Sequence, residues 1–197
     1  MADPVIAWRA PTAAGGLSRF GAATLRLTVL AALVAAGCTT DTKKGLCPSA
    51  AILAPASVLT VFRQNAPADP SGELYTVWMS NVKSRCDYDG NKISTDSDMR
   101  IRFKATRAPS GEAGTYRVPY FVAVTHKGSR IMAKKLFVAD VTFQPGEVST
   151  EFELNIDQTV IKIARGNKIG EYEILTGFQL TQAQLDYNIK NNHFAAP

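Results

Sequence analysis

Residues 99–106 read Met99-Arg100-Ile101-Arg102-Phe103-Lys104-Ala105-Thr106. Apolar residues take every second place, and two arginines, a lysine and a threonine take the rest. A period of two is the signature of a strand, in which successive side chains leave opposite faces of the pleat. A helix of period 3.6 would scatter these apolar residues around its circumference. One face of the strand is therefore expected in a core and the other in water, as in a sheet covered on one side.

The same rhythm continues outward from this stretch. Phe152, Leu154 and Ile156 alternate with Glu151, Glu153 and Asn155. Residues 74–82, 131–143, 160–164 and 171–178 are rich in aromatic and β-branched side chains, which favour strands. Tyr120-Phe121-Val122-Ala123-Val124 is almost wholly apolar and predicts a central strand, with Pro119 before it implying an edge, a bulge or a strand start. Turn residues fall between these runs at Asp89-Gly90-Asn91, Lys127-Gly128-Ser129, Pro145-Gly146 and Arg165-Gly166-Asn167. Seven or more strands so punctuated predict an all-β, mainly antiparallel fold, an immunoglobulin-like β-sandwich without the Cys-Trp-Cys spacing of antibody domains. The end differs. Thr181-Gln182-Ala183-Gln184 fits a capping box, with Leu180 and Leu185 at the staple positions around it. A short C-terminal helix over 182–190 is expected to follow, packing Leu185 and Ile189 onto the sandwich.

The N-terminal region reads as an address. Three arginines precede Leu27-Thr28-Val29-Leu30-Ala31-Ala32-Leu33-Val34-Ala35-Ala36. At a rise of about 1.5 Å per residue this uncharged run covers about half of a bilayer core, too short to span it. Charge, a short apolar run and then small residues form the pattern of an export signal. Ala35-Ala36-Gly37-Cys38 resembles the lipobox of bacterial lipoproteins, although Ala35 stands where that pattern favours Leu. The resemblance implies acylation of Cys38 and a lipid bilayer as partner. Ordinary signal-peptidase cleavage is the alternative, since Ala35 and Gly37 also satisfy a small-x-small rule. Thr39 replaces the Asp linked to inner-membrane retention in some lipoproteins, which implies an outer-membrane address. Residues 1–37 are thus read as a cleaved lipoprotein signal peptide, 38–46 as a polar tether and 47–197 as a periplasmic β-sandwich domain.

Cysteine usage agrees with that address. The chain has three cysteines. With Cys38 acylated, Cys47 and Cys86 remain and can pair in an oxidising compartment. A bridge would close a loop of about 38 residues, worth up to roughly 4 kcal/mol in the chain-entropy model. Two separate buried thiols are the other reading.

Two stretches carry a wider resemblance. Tyr120-Phe121-Val122-Ala123-Val124 with Gly128, Ile131, Ala133-Lys134 and Phe137 is similar to a set of small lipoproteins of proteobacteria. So is Tyr172-Glu173-Ile174-Leu175-Thr176-Gly177-Phe178-Gln179-Leu180-Thr181, with Gln184-Leu185 and Tyr187-Asn188, and so is the segment from Cys47-Pro48 to Leu53. The resemblance covers residues 47–188. It implies a cell-envelope location and a β-sandwich, and it supplies no catalytic residues.

Composition and motifs narrow the chemistry. At 46% hydrophobic and 20% charged residues the chain is of globular type. Of its net charge of +5, residues 1–37 carry +2 through Arg9, Arg19 and Arg26 against Asp3. The remaining +3 is a poor match to a nucleic-acid surface, and no such partner is expected. Asp87-Tyr88-Asp89-Gly90-Asn91-Lys92-Ile93, with Asp96 and Asp98, resembles the opening of a calcium loop. Lys92 stands where the sharp turn needs Gly, and Asp98 stands where a bidentate Glu belongs. A hairpin turn accounts for the same residues more simply. With two histidines, His126 and His193, a zinc site is not expected, and neither a Gly-x-Ser-x-Gly elbow nor a phosphate loop is present. No metal, cofactor or catalytic residue is assigned. Arg100, Arg102 and Lys104, joined by Lys134 and Lys135 or by Lys162, form a candidate cationic surface for anionic lipid or an acidic protein. A solvated strand face is the plainer reading. Tyr75, Trp78, Phe103, Phe121 and Phe178 are expected in the core.

The reading that follows is a membrane-anchored, noncatalytic interaction or scaffold module of the bacterial envelope. It would meet an unknown envelope protein as an accessory of outer-membrane assembly or transport. A small-ligand or carbohydrate-binding lipoprotein is the alternative. A deep apolar pocket would favour the binder, and a flat apolar or edge-strand surface the scaffold.

Overall fold

In the computed structural model, which describes residues 47–88, 94–109, 111–163 and 165–194, residues 99–106 lie within a 14-residue strand, Ser94–Arg107. For 87–88, 94–97 and 157–160 it describes the backbone alone. The alternation sorts the side chains as the period requires. Ile101, Phe103 and Ala105 have no exposed surface, while Arg100 and Arg102 face water.

Among the described residues, eight strands build two sheets. In chain order they are β1 Ser49–Ile52, β2 Val58–Phe62, β3 Glu73–Tyr88, β4 Ser94–Arg107, β5 Gly114–His126, β6 Arg130–Phe143, β7 Ser149–Lys162 and β8 Tyr172–Phe178. The sheets have orders β2-β3-β4-β7 and β1-β8-β5-β6. All pairings are antiparallel except β1 with β8. A helix, α1 Gln182–Lys190, follows the last strand. The fold class is therefore an all-β sandwich with a short C-terminal helix. The stretches 152–156 and 160–164, separate in sequence pattern, belong mostly to the one strand β7, because a register shift opposite Ser97 and Met99 carries the ladder across the gap.

The core lies between the sheets. Val77, Met79, Met99, Ile101 and Phe103 from one sheet meet Val118, Tyr120, Val122, Val141 and Phe178 from the other. Phe103 sits at its centre, stacked on Phe152 at 5.0 Å and edge-on to Tyr120 at 5.7 Å. Burial pushes the Tyr120 phenol up to about 12. All five expected core aromatics are buried, but two lie outside the sandwich interior. Trp78 is covered by the C-terminal segment, edge-on to His193 at 6.3 Å. Phe121 joins a small cluster with Ala56 and Ala123 on the outer face of the second sheet. The turn Ala54–Ala56 lies so close there that a Cβ on Gly177 would sit 2.8 Å from that of Ala56.

Pro119 occupies a local edge. The Gln179 N–H donates to its carbonyl at 2.9 Å, so the backbone of Pro119 faces the β8 side, where pairing with β8 begins only at Tyr120. The missing N–H thus falls one residue beyond the ladder and leaves no pair broken.

Helix α1 docks differently from expectation. The capping box forms, with Gln184 N–H donating to Thr181 Oγ1 at 3.3 Å and Thr181 N–H to Gln184 Oε1 at 2.9 Å. Leu185 is half-buried, but Ile189 is 55% exposed. The docked face carries Gln184, Tyr187 and Asn188 instead, related by helical spacing. Asn188 Nδ2 donates to the carbonyls of Pro55 at 3.1 Å and Val58 at 2.8 Å, and Gln184 Nε2 to that of Thr60 at 3.4 Å. The helix meets backbone carbonyls at the edge strand β2, and buried carbonyls need donors that an isoleucine cannot provide.

Candidate functional site

Cys38 and the rest of the leader and tether lie outside the described residues. Cys47 and Cys86 form a disulfide, with Cα atoms 5.7 Å apart. It ties the chain just before β1, at the margin of one sheet, to β3 of the other.

The cationic trio does share one face. Arg100, Arg102 and Lys104 project from β4 on the outer side of the first sheet, but two of the three residues opposite them on β7 are acidic. Arg102 stands opposite Glu153 and Lys104 opposite Glu151. Glu153 lies 3.9 Å from Arg100 and 3.7 Å from Arg102, all three well exposed. This is a cross-strand charge ladder on a wet face, each pair of which contributes about 0.2–1 kcal/mol. Lys134 and Lys135 do not join it, because β6 belongs to the other sheet. Lys162 lies opposite Ser94, beyond the register shift. The residues that do extend the positive surface are Lys83 and Arg85 of β3, which the sequence reading did not select. Lys83 stands directly opposite Arg100, and Arg85 opposite Asp98. With Asn155 they line an open groove of about 510 Å³.

The aspartate-rich segment runs from the end of β3 into β4, which pair antiparallel, with Asp87 opposite Asp96 and Tyr88 opposite Thr95; residues 89–93 lie outside the described residues. His126 sits at the end of β5, its Nε2 3.2 Å from Glu171 Oε2. That hydrogen bond, then one from the Lys168 N–H, and the charge of Lys127 hold the Glu171 carboxyl below its usual range. Among the described residues no group of three or more His, Cys, Asp or Glu is placed to hold a metal ion. No helix among them is long and apolar enough to cross a membrane.

The feature that stands apart is β6. It closes the β1-β8-β5-β6 sheet on one side, and among the described residues no strand pairs with its outer margin. Its inward residues Ala139, Val141 and Phe143 are buried. Its outward face is apolar at the middle, where Leu136 is 59% and Val138 49% exposed. Lys134 and Asp140 flank that pair. Lys134 Nζ donates to Gln179 Oε1 at 2.8 Å and lies 4.4 Å from the centre of the Phe121 ring, while Asp140 is 4.0 Å from Arg117. A signal was present in Leu136-Phe137-Val138-Ala139, which is apolar at both parities and so predicts contact on both faces of a strand.

Comparison of the chain with known protein families, with curated proteins and with solved structures gives no match.

Proposed function

We propose that the chain is a lipid-anchored, noncatalytic interaction module of the bacterial cell envelope. An acyl group on Cys38 holds it to the outer membrane, and the β6 edge presents it to protein as part of an assembly or transport complex. The module would belong with the small proteobacterial lipoproteins that its sequence resembles. One observation carries the interaction role: a long edge strand with Leu136 and Val138 exposed and, among the described residues, no strand paired with its outer margin. Such an edge is a template for strand addition, in which main-chain hydrogen bonds give affinity and alternate side chains give specificity. The address draws on the disulfide, which occupies Cys47 and Cys86 and leaves Cys38 as the remaining cysteine, next to the lipobox-like run.

Two arms test this. Acyl-chain labelling of the full chain is expected to mark wild type and to vanish in Cys38→Ala together with membrane retention. A photo-reactive side chain at Val138 is expected to capture protein in native membranes, and one at Glu153 to capture none. Wild type recovered unlabelled in the soluble fraction would overturn the anchor, and equal capture from both positions would overturn the edge.

The groove favours a second reading, a small-ligand or carbohydrate-binding envelope lipoprotein. Lys83, Arg85 and Arg100 around an open space suit a sugar bearing phosphate or carboxylate. Calorimetric titration with a sugar phosphate, with the heat lost in Lys83→Ala/Arg85→Ala, would support it.

A further inference from the structure

We infer that the partner of the β6 edge is a second copy of this chain, bound through its own β6 antiparallel about a twofold axis at Phe137. The inference rests on the edge reading above and names its occupant.

Backbone direction comes first. The carbonyl of Pro119 faces β8, so the backbone groups of Tyr120 face β6. Tyr120 is opposite Phe137, whose backbone groups therefore turn inward to β5. Those of Lys134, Leu136, Val138 and Asp140 turn to the open side. An antiparallel partner must place its hydrogen-bonding residues opposite these.

Side chains then select the register. With Phe137 on the axis, Leu136 of one copy opposes Val138 of the other, and Lys134 opposes Asp140. Both relations repeat by symmetry, giving two apolar pairs flanked by two ion pairs on the outer face. About eight backbone hydrogen bonds would form across these four positions. Centring on Leu136 instead sets Lys134 against Val138, and centring on Val138 sets Leu136 against Asp140. Either leaves charge facing hydrocarbon. The strand is complementary to itself in one register, as an isologous interface requires. Lys134 now reaches back over Phe121 to Gln179, and pairing needs it to turn outward, which three donors on a flexible stem permit. The product is one eight-stranded sheet made from two β1-β8-β5-β6 sheets.

The other three edges show why this one is singled out. β1 has four residues, β2 is covered by α1, and β7 carries Glu151, Glu153 and Asn155 on its outer face. Each is a recognised way of blocking strand addition.

The test uses two differently tagged full-length copies expressed together and purified from membranes through one tag. Wild type is expected to bring down its second copy. Leu136→Lys/Val138→Lys should lower that recovery by about tenfold or more, since it puts lysines opposite lysines across the axis. Lys134→Asp and Asp140→Lys should each lower it several-fold, and the double swap should regain more than half of the wild-type level. All four positions are at the surface, and circular dichroism of each variant verifies that the sheets persist. Absence of the second copy in wild type, recovery indifferent to the paired lysines, or a double swap no better than the singles would overturn the inference. If the photo-reactive group at Val138 nevertheless captures a different protein, self-pairing fails while the edge reading stands.

Discussion

Two strands of 14 residues, β6 and β7, follow one another in the chain and, among the described residues, form edge strands of opposite sheets. They bury similar residues inward and differ in what they show to water. β7 presents Glu151, Glu153 and Asn155, with Glu153 held between Arg100 and Arg102. β6 presents Leu136 and Val138 between Lys134 and Asp140. An edge lined with carboxylates repels an added strand, because a partner would have to desolvate them. An edge with an apolar centre and opposite charges on either side invites one. The candidate cationic residues therefore sit on β4, beside the carboxylates of β7, and the proposed contact surface is on the other sheet.

That contrast can be pressed by removing the features that close each margin. The largest loss is expected at β1. Cys47→Ser/Cys86→Ser frees the segment leading into β1 from β3, and denaturant titration should show a loss of about 2–4 kcal/mol. Next is the helix over β2. Thr181→Ala removes the hydroxyl that accepts from the Gln184 N–H, and should cost about 1 kcal/mol by the same titration. At β7, Arg100→Glu/Arg102→Glu sets like charges around Glu153. It should lower stability by about 1 kcal/mol at low ionic strength, less in high salt, and leave co-purification of tagged copies unchanged. The converse change, Glu151→Leu/Glu153→Val, gives β7 the character of β6 and should produce concentration-dependent oligomers in sedimentation. The smallest effect belongs to Glu171, beside the turn into β6. Its folded carboxyl is held below the usual range by His126, so its stabilising contribution is present above about pH 4.5 and is lost as the pH falls through the lowered value. Glu171→Gln should flatten that part of the acid dependence of the melting midpoint.

Much of this fold is written in local pattern, and the margins are not. The alternation at 99–106 needed no knowledge of the rest of the chain, because one strand with one wet face is a local statement. Pairing is different. Glu151 and Glu153 are visible in the sequence, but that they oppose Lys104 and Arg102 depends on a register between residues about fifty apart. Read alone, the three cations resemble a free patch. For the same reason the apolar run at 136–139 reads as interior, whereas Leu136 and Val138 on its outer face are exposed in the structure. Helix α1 shows a third kind of miss. Its start was legible from the Thr181 and Gln184 pair, but its docking face followed the carbonyls of Pro55, Val58 and Thr60, which apolar periodicity does not register.

The openness of β6 is best measured by residue-resolved amide exchange on dilute protein and again at high concentration. On dilution the amides of Lys134, Leu136, Val138 and Asp140 should exchange freely while those of Phe137 and Ala139 stay protected, and concentration should slow the first set alone. Protection of all six in the most dilute sample, unaltered as concentration rises, would mean that the edge is already closed and would contradict the account.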